Sequence, residues 1–377
     1  MAPVPANLLP SLAGRAKVAF RLARSRLVRT GRPRVLYVTD GAEWVLDWIG
    51  RYLTEALNLR LGVEARMIRE PRWEVGQIIH YGSLWPFLDR LGRAVHRRNR
   101  IVATIYHGDR SQRFPELERA VDRFLEGWPE ADRIVTACRI MEGRLISWGV
   151  EPKRISLVPE GVDLSLFRPA PAGEKESLRR GFGVPQGAIC LGSFQKDGNG
   201  WDDGLTPKLI KGPDILLEVI RRLKDDYPLF ILLSGPARGY VKQGLEGMGV
   251  PYRHLFLKHY PDLAELYRCL DLYLVTSREE GGPQAVLEAL ASGVPLVSTR
   301  VGLAPDVIED GVDGLLAQVE DVEALAALAA RVIDRPELAA RLAAAGLKTI
   351  QAYDWPLIAA RYFHEVYAPL MEEGARV

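Results

Sequence analysis

Two carboxylates, Glu280 and Glu288, are the residues of this 377-residue chain whose type and spacing bear most directly on chemistry. Between them lie Gly281, Gly282 and Pro283, followed by Gln284 and Ala285. Proline suits the start of a helix, where its missing N–H loses no bond, so the free amides of Gln284 and Ala285 point outward at the positive end of the helix dipole. Such a turn seats an anion. A carboxylate can also accept two vicinal hydroxyls at once, so a phosphate flanked on both sides by polyols fits this spacing. A nucleotide sugar has that shape. Solvated helix-end glutamates would share the spacing, but the paired glycines and the strand–turn–helix setting distinguish this pair.

The elements that must position these groups read from apolar runs and their punctuation. Leu272 to Val275 forms a buried strand, Thr276 to Gly282 a turn, and Pro283 to Ala291 a helix that Gly293 and Pro295 end before another strand begins at Leu296. Upstream, strand-like runs fall at Val35–Val38, Ala65–Ile68, Gln77–His80, Val102–Tyr106, Ile134–Ala137 and Ile155–Val158. Further runs follow at Ile189–Phe194 and Phe230–Leu233. Helix-length stretches separate most of these runs, so the expected class is α/β, with parallel sheets and ligands at the strands' carboxyl ends. Gly41 turns the chain after the first strand, and Trp48, Ile49, Tyr52 and Leu53 recur at helical spacing beyond it.

The run from Glu280 to Glu288, continued by Ala289, Leu290, Ala291, Ser292, Gly293, Val294 and Pro295, resembles the Glu-x7-Glu motif of glycosyltransferase family 4. That family contains retaining enzymes of the GT-B type, two Rossmann-like doubly wound domains facing a central cleft. The similarity is dense from about Ile189 to Trp355 and thinner back to Val35. It implies a basic N-terminal extension (1–34), an acceptor-side domain (35–169), a hinge (170–187), a nucleotide-sugar-binding domain (188–354) and a C-terminal helix (355–377) crossing back to the first domain.

The resemblance also implies roles. Glu280 would orient the sugar hydroxyls, His107 would contact the transferred sugar and Lys211 would grip the diphosphate, making these three the catalytic candidates. Donor contacts are expected from Gly41, Ser193, Lys196, Lys211, Gly281, Gly282, Gln284, Ala285 and, at the ribose, Glu288, with His259 and Tyr260 in a base pocket. Two positions depart from the family pattern: Ser193 stands where arginine is usual and Glu160 where asparagine is usual. Lys196 or Lys208 could supply the lost charge, with Lys196 preferred for its closeness to the strand end, and Arg238 would either reach phosphate or cap a helix end.

Breaking a sugar–diphosphate bond needs fixed positive charge at the leaving group, which metal-dependent transferases obtain through Asp-x-Asp. The chain has no Asp-x-Asp, so lysines and helix-terminal amides are expected to act without metal or other cofactor. The segment Gln195–Ile210 holds Asp197, Asn199, Asp202 and Asp203 among glycines, but at the wrong spacing for an EF-hand, and reads as a flexible acceptor-side loop. The partners implied are a nucleotide-sugar donor, UDP- or GDP-linked, and a carbohydrate, lipid-linked or natural-product acceptor. The other readings are a GT-B sugar-nucleotide epimerase and a non-catalytic sugar-nucleotide binder.

A net charge of +2 argues against a dedicated nucleic-acid binder, and the composition, 47% hydrophobic and 26% charged, is that of a globular protein. Cys138, Cys190 and Cys269 lie far apart in apolar runs and read as buried thiols in a reducing compartment. Residues 11–34 carry eight basic and no acidic side chains, a candidate contact with an anionic membrane. Leu84 to Arg100 reads as a second basic amphipathic helix, more simply one packing its apolar side on the sheet. The expected location is the cytoplasm, at the inner face of the membrane if the basic segment binds there.

Overall fold

The computed structural model describes residues 34–375 except 40, 42–44, 73, 94 and 201, with side chains to 372. The basic segment 11–33 therefore lies outside the described residues. Two six-stranded parallel sheets form the frame. The first contains β1 (Val35–Val38), β2 (Ala65–Ile68), β3 (Ile78–Tyr81), β4 (Arg100–Thr104), β5 (Arg133–Thr136) and β6 (Ile155–Leu157), in the order β2-β1-β3-β4-β5-β6. The second contains β7 (Ile189–Phe194), β8 (Leu229–Ser234), β9 (Tyr252–Leu255), β10 (Leu272–Val275), β11 (Leu296–Thr299) and β12 (Leu315–Ala317), in the order β12-β11-β10-β7-β8-β9.

Helices cover both faces of such sheets, so their strands are apolar throughout rather than alternating. Every residue of β1, β8 and β10 is buried accordingly. Strand order reverses between β1 and β3 and between β7 and β10, the switch points at which α/β sheets open a ligand crevice. At the second switch point Leu272 pairs with Leu191 and Tyr273 with Gly192. A Cβ on Gly192 would lie 2.3 Å from Leu270 Cδ1 and 2.9 Å from Tyr273 Cδ2, so a larger residue there would push those buried side chains aside.

The helix Trp355–Tyr362 returns to the first sheet and packs on the helix Val45–Leu61. Trp355, Ile358, Tyr362 and Tyr367 share one apolar cluster with Val35, Tyr37, Leu53 and Val102. A second cluster runs without a break from Leu36, Ile79 and Ile134 of the first domain to Cys190, Leu232 and Val275 of the second. The three cysteines are free and buried.

Some elements differ from the sequence reading. The basic helix expected over Leu84–Arg100 stops at Arg90, because Gly92 adopts φ +79°. Leu84, Phe87 and Leu88 face the core, while Arg90 is itself buried over the rings of Tyr81 and Phe87 and pairs with Glu130. Among the described residues no helix is long and apolar enough to cross a membrane. Pro283 proves to be the N-cap (φ −65°, ψ 95°), and the helix itself spans Gln284–Ala291. The short strand β12 carried no signal the sequence reading used.

Candidate active site in the interdomain cleft

The turn after β10 carries Glu280 into the cleft. Lys211 Nζ donates to Glu280 Oε2 at 2.6 Å and Ser277 Oγ donates to Glu280 Oε1 at 2.9 Å. Both members of the ion pair are largely buried, with side chains 20% and 10% exposed. Burial alone would raise the Glu280 pKa, but the Lys211 charge and hydrogen bond, with His107 and Ser277, outweigh it and hold the carboxyl below its ordinary value. Glu280 is thus an anion. His107, after β4, is pushed down to about 4 by burial and then by the Lys211 charge, and is a neutral imidazole. Its Nδ1 is buried with no hydrogen-bond partner. The adjoining Tyr106 carbonyl presses on the turn after β10 so closely that a Cβ on Gly281 would lie 2.1 Å from it.

Glu288 lies one turn into the helix, 2% exposed. Tyr267 OH donates to its Oε2 at 2.7 Å and Tyr260 OH donates to its Oε1. Burial raises this carboxyl to about 7 despite the two phenols, which favour its charged form. A folded-state pKa above the unfolded value means that stability is fully present below about pH 4.5 and lost as pH rises through 7. At ~1.4 kcal/mol per pK unit, Glu288→Gln is expected to flatten the fall in stability across this window by about 3 kcal/mol. Chemical denaturation at several pH values checks this; equal slopes in the two proteins would refute it.

The amides of Gln284 and Ala285 precede the first bonded amide of the turn, Val286 N–H to Pro283 O at 2.8 Å. The Gln284 side chain reaches across the cleft, its Nε2 donating to Gly161 O at 2.6 Å. Beside Gly161, Glu160 faces the same turn: a Cβ on Gly282 would lie 2.3 Å from Glu160 Oε2. Glu160 is 4% exposed and that oxygen has no hydrogen-bond partner. Burial first, then the charges of Glu280 and Glu288, hold its carboxyl well above the usual range. Further out, Arg144 Nη1 donates to Glu279 Oε1 at 2.6 Å and to Gly108 O at 2.6 Å, and Arg139 N–H donates to Asp306 Oδ2 at 2.7 Å, closing the domains on each other.

The segment 195–210 is pinned down, contrary to the flexible loop expected. Gly198 pairs with Pro207, Asn199 N–H donates to Thr206 O, Lys208 N–H donates to Asp197 O, and Gly239 N–H and Tyr240 N–H donate to Asp203 O and Gly204 O. Its anchor is Arg238, which is fully buried. Arg238 Nη1 donates to the carbonyls of Ser193 (2.6 Å) and Ser234 (2.7 Å), and Nη2 donates to Ser193 Oγ (3.1 Å). Its Nε lies 2.9 Å from Asp197 Oδ1, a charge contact without hydrogen-bond alignment. Arg238 is therefore a structural tie: it stands at the N-cap of the helix Gly239–Gly247 without a side-chain cap bond, and its guanidinium is spent on Ser193 and Ser234.

Asp197 is thereby engaged, and among the described residues no group of three His, Cys, Asp or Glu side chains could hold a metal ion. Lys208 lies within electrostatic reach of Lys211, Glu280, Lys196 and Glu116, and burial followed by the Lys211 charge lowers its pKa to about 8. Burial also lowers Lys196, with Asp202 opposing.

Of the residues singled out from sequence, the fold gathers Glu280, Lys211, His107, Gly281, Gly282, Gln284, Ala285, Glu288 and Tyr260 around one cleft. Tyr260 sits 5.7 Å from the Trp48 ring across the domains, whereas His259 is exposed. Gly41 lies at the end of β1 against the Arg69 guanidinium, where a Cβ would be 2.9 Å from Nε. Sequence reasoning passed over Ser277, Tyr267 and the carboxyl of Glu160 as groups facing this turn. Tyr267 is 21 positions from its partner, and no local pattern announces it.

Residues 205–349 match the family described as glycosyl transferases group 1, and residues 48–166 match glycosyltransferase family 4. A D-inositol 3-phosphate glycosyltransferase of Saccharomonospora viridis is 32% identical over 244 residues, 60% of this chain and 53% of that protein. One from Segniliparus rotundus is 29% identical over 77% of this chain and 63% of its own length. The chain spans roughly half to two thirds of the relatives it matches. Among solved structures, sucrose-phosphate synthase of Thermosynechococcus elongatus superposes with TM-score 0.71 at 18% identity, covering 91% of this chain and all of that one. The Anabaena protein HepE, solved with UDP and glucose, gives TM-score 0.70 at 18% identity over 90% of this chain and all of that one.

Proposed function

The chain belongs to the family 4 glycosyltransferases of GT-B fold, and from that premise we propose that it transfers a sugar, with retention, from a nucleoside diphosphate to a carbohydrate, lipid-linked or natural-product acceptor. The observation that carries this reading is the buried Lys211–Glu280 pair at the mouth of the Gln284–Ala291 helix, facing a neutral His107. As the glycosidic bond breaks, charge accumulates on the departing diphosphate while the anomeric carbon becomes cationic. Lys211, Lys208 and the amides of Gln284 and Ala285 offer fixed positive charge on one side of that bond. Glu280 offers an anionic acceptor to the sugar hydroxyls, and His107, uncharged, can accept or donate without adding charge beside the lysines. Glu288 takes the ribose hydroxyls, which replace the phenols of Tyr260 and Tyr267 on its two oxygens.

The HepE complex with UDP and glucose makes a uridine donor the first to try. In a thermal-shift screen of UDP-, GDP- and dTDP-sugars, one series should raise the melting temperature with concentration, by about 2.7 kcal/mol of added stability at a hundred times Kd. Turnover with that donor should survive EDTA and give a product of unchanged anomeric configuration by NMR. No shift with any of them, or loss of turnover in EDTA, would sink the proposal; donor consumed without acceptor to give an isomeric sugar nucleotide would identify an epimerase.

A further inference from the structure

Glu160 is a buried carboxyl without an assigned task, placed against the turn that would seat the donor's phosphates. Three features set it apart from an ordinary core glutamate. Its Oε2 has no partner, it is 4% exposed, and it lies against Gly282, directly ahead of the free amides of Gln284 and Ala285. An unpaired charge so buried is expensive, and a carboxyl in such a place lowers that cost by keeping its proton. Once protonated it is a hydrogen-bond donor.

We propose that Glu160 engages the donor as a neutral carboxylic acid, its O–H donated to a diphosphate oxygen held over the 281–285 turn. The proposal rests on the nucleotide-sugar reading above and adds to it a proton that the bound donor requires.

Burial and the carboxyls of Glu280 and Glu288 favour the neutral form and outweigh the Lys211 charge and the Tyr106 hydroxyl, which favour the charged one. Tyr37 on β1, Tyr106 after β4 and Tyr362 on the C-terminal helix face Glu160 within its own domain. From the second domain come Glu280, Glu288 and Tyr260, with Lys211 the one cation among the groups that act on it. Lys211 is already engaged by Glu280 at 2.6 Å. A carboxylate at Glu160 would meet two other carboxyls and then the diphosphate itself, whereas the acid form turns the same atoms into a donor. The device parallels a carboxylic acid kept neutral by its site so that it can stabilise an anion. The asparagine usual at this position in the family also presents an N–H donor; glutamate does so only while protonated.

The consequence is linkage between donor and proton. A bound diphosphate raises the Glu160 pKa further, so above the free protein's pKa binding takes up a proton and affinity falls by up to ~10-fold per pH unit. The test is isothermal titration of the whole protein with UDP-glucose, and with GDP-mannose alongside, from pH 6 to 9 in buffers of different ionisation heat. Wild-type protein should take up a proton and lose affinity as pH rises. Glu160→Gln, which always presents an N–H donor, should take up less and hold its affinity at the upper end. Because Glu288 also titrates near neutrality, the decisive quantity is the difference between the two proteins. Equal proton uptake and equal pH slopes would overturn the proposal alone, as would a Glu160→Gln protein, melting like wild type, that binds more weakly at every pH. Binding of neither nucleotide sugar to wild-type protein would remove the nucleotide-sugar reading and this proposal with it. Should Glu160→Gln not fold, Glu160→Asn serves in its place, and equal proton uptake and equal pH slopes in that variant and the wild type overturn the proposal.

Discussion

Lys211→Ala is expected to lower turnover about 10²- to 10³-fold, the loss that follows removal of one preorganised donor aimed at charge developing in a transition state. The side chain is largely buried and its Nζ sits 2.6 Å from Glu280. A second effect separates this loss from simple misfolding. Lys211 is the largest influence lowering the Glu280 pKa, and without it burial dominates. The acid limb of the kcat/KM profile should therefore move to higher pH in the variant. Measured kcat within twofold of wild type, with an unmoved acid limb, would rule out the role proposed for the lysine.

Arg238→Ala should be the most destabilising single change in the second domain's binding half. It strands Asp197, itself fully buried, and leaves the Ser193 and Ser234 carbonyls without their guanidinium partner. Removing one member of a buried pair typically costs about 3–5 kcal/mol. For a protein of this size that corresponds to a fall in Tm of roughly 4–6 °C. The Arg238→Ala, Asp197→Ala double variant should lose less than the two single changes together, because the stranded charge is gone. If Arg238 were instead a phosphate ligand, the loss would appear in donor affinity at temperatures where the variant remains folded, and the melting temperature would scarcely change.

Why the sequence revealed some of this and hid the rest is a matter of range. The strand β10, the turn with Glu280 and the helix with Glu288 are contiguous, punctuated by Gly281, Gly282, Pro283 and Gly293, and bounded by a fully apolar run; local physics suffices to read them. Strand β7 is equally self-contained, and its observed limits, Ile189–Phe194, are those of the apolar run. The segment 195–210 was misread because its restraint comes from Arg238, more than forty positions from Asp197, and from the amides of Gly239 and Tyr240. Glycine and aspartate content says only that a segment can bend, not that something far along the chain holds it. The helix after β3 was overextended for a smaller reason, since apolar spacing continued past Gly92 while the backbone did not. Glu288's second phenol and the orientation of Glu160 arise from tertiary packing, where no spacing rule applies.

The return of the helix Trp355–Tyr362 to the first domain carries a consequence for how this molecule comes into being. Trp355, Ile358 and Tyr362 complete the cluster around Tyr37 and Leu53, and Trp355 lies against Gly161, where a Cβ would be 2.7 Å from its ring. On the ribosome the amino-terminal half emerges long before these residues do, and must wait, its flank open, until they are made. A nascent chain halted near the hinge would thus expose a sticky surface, and the half translated first would be the half that matures last.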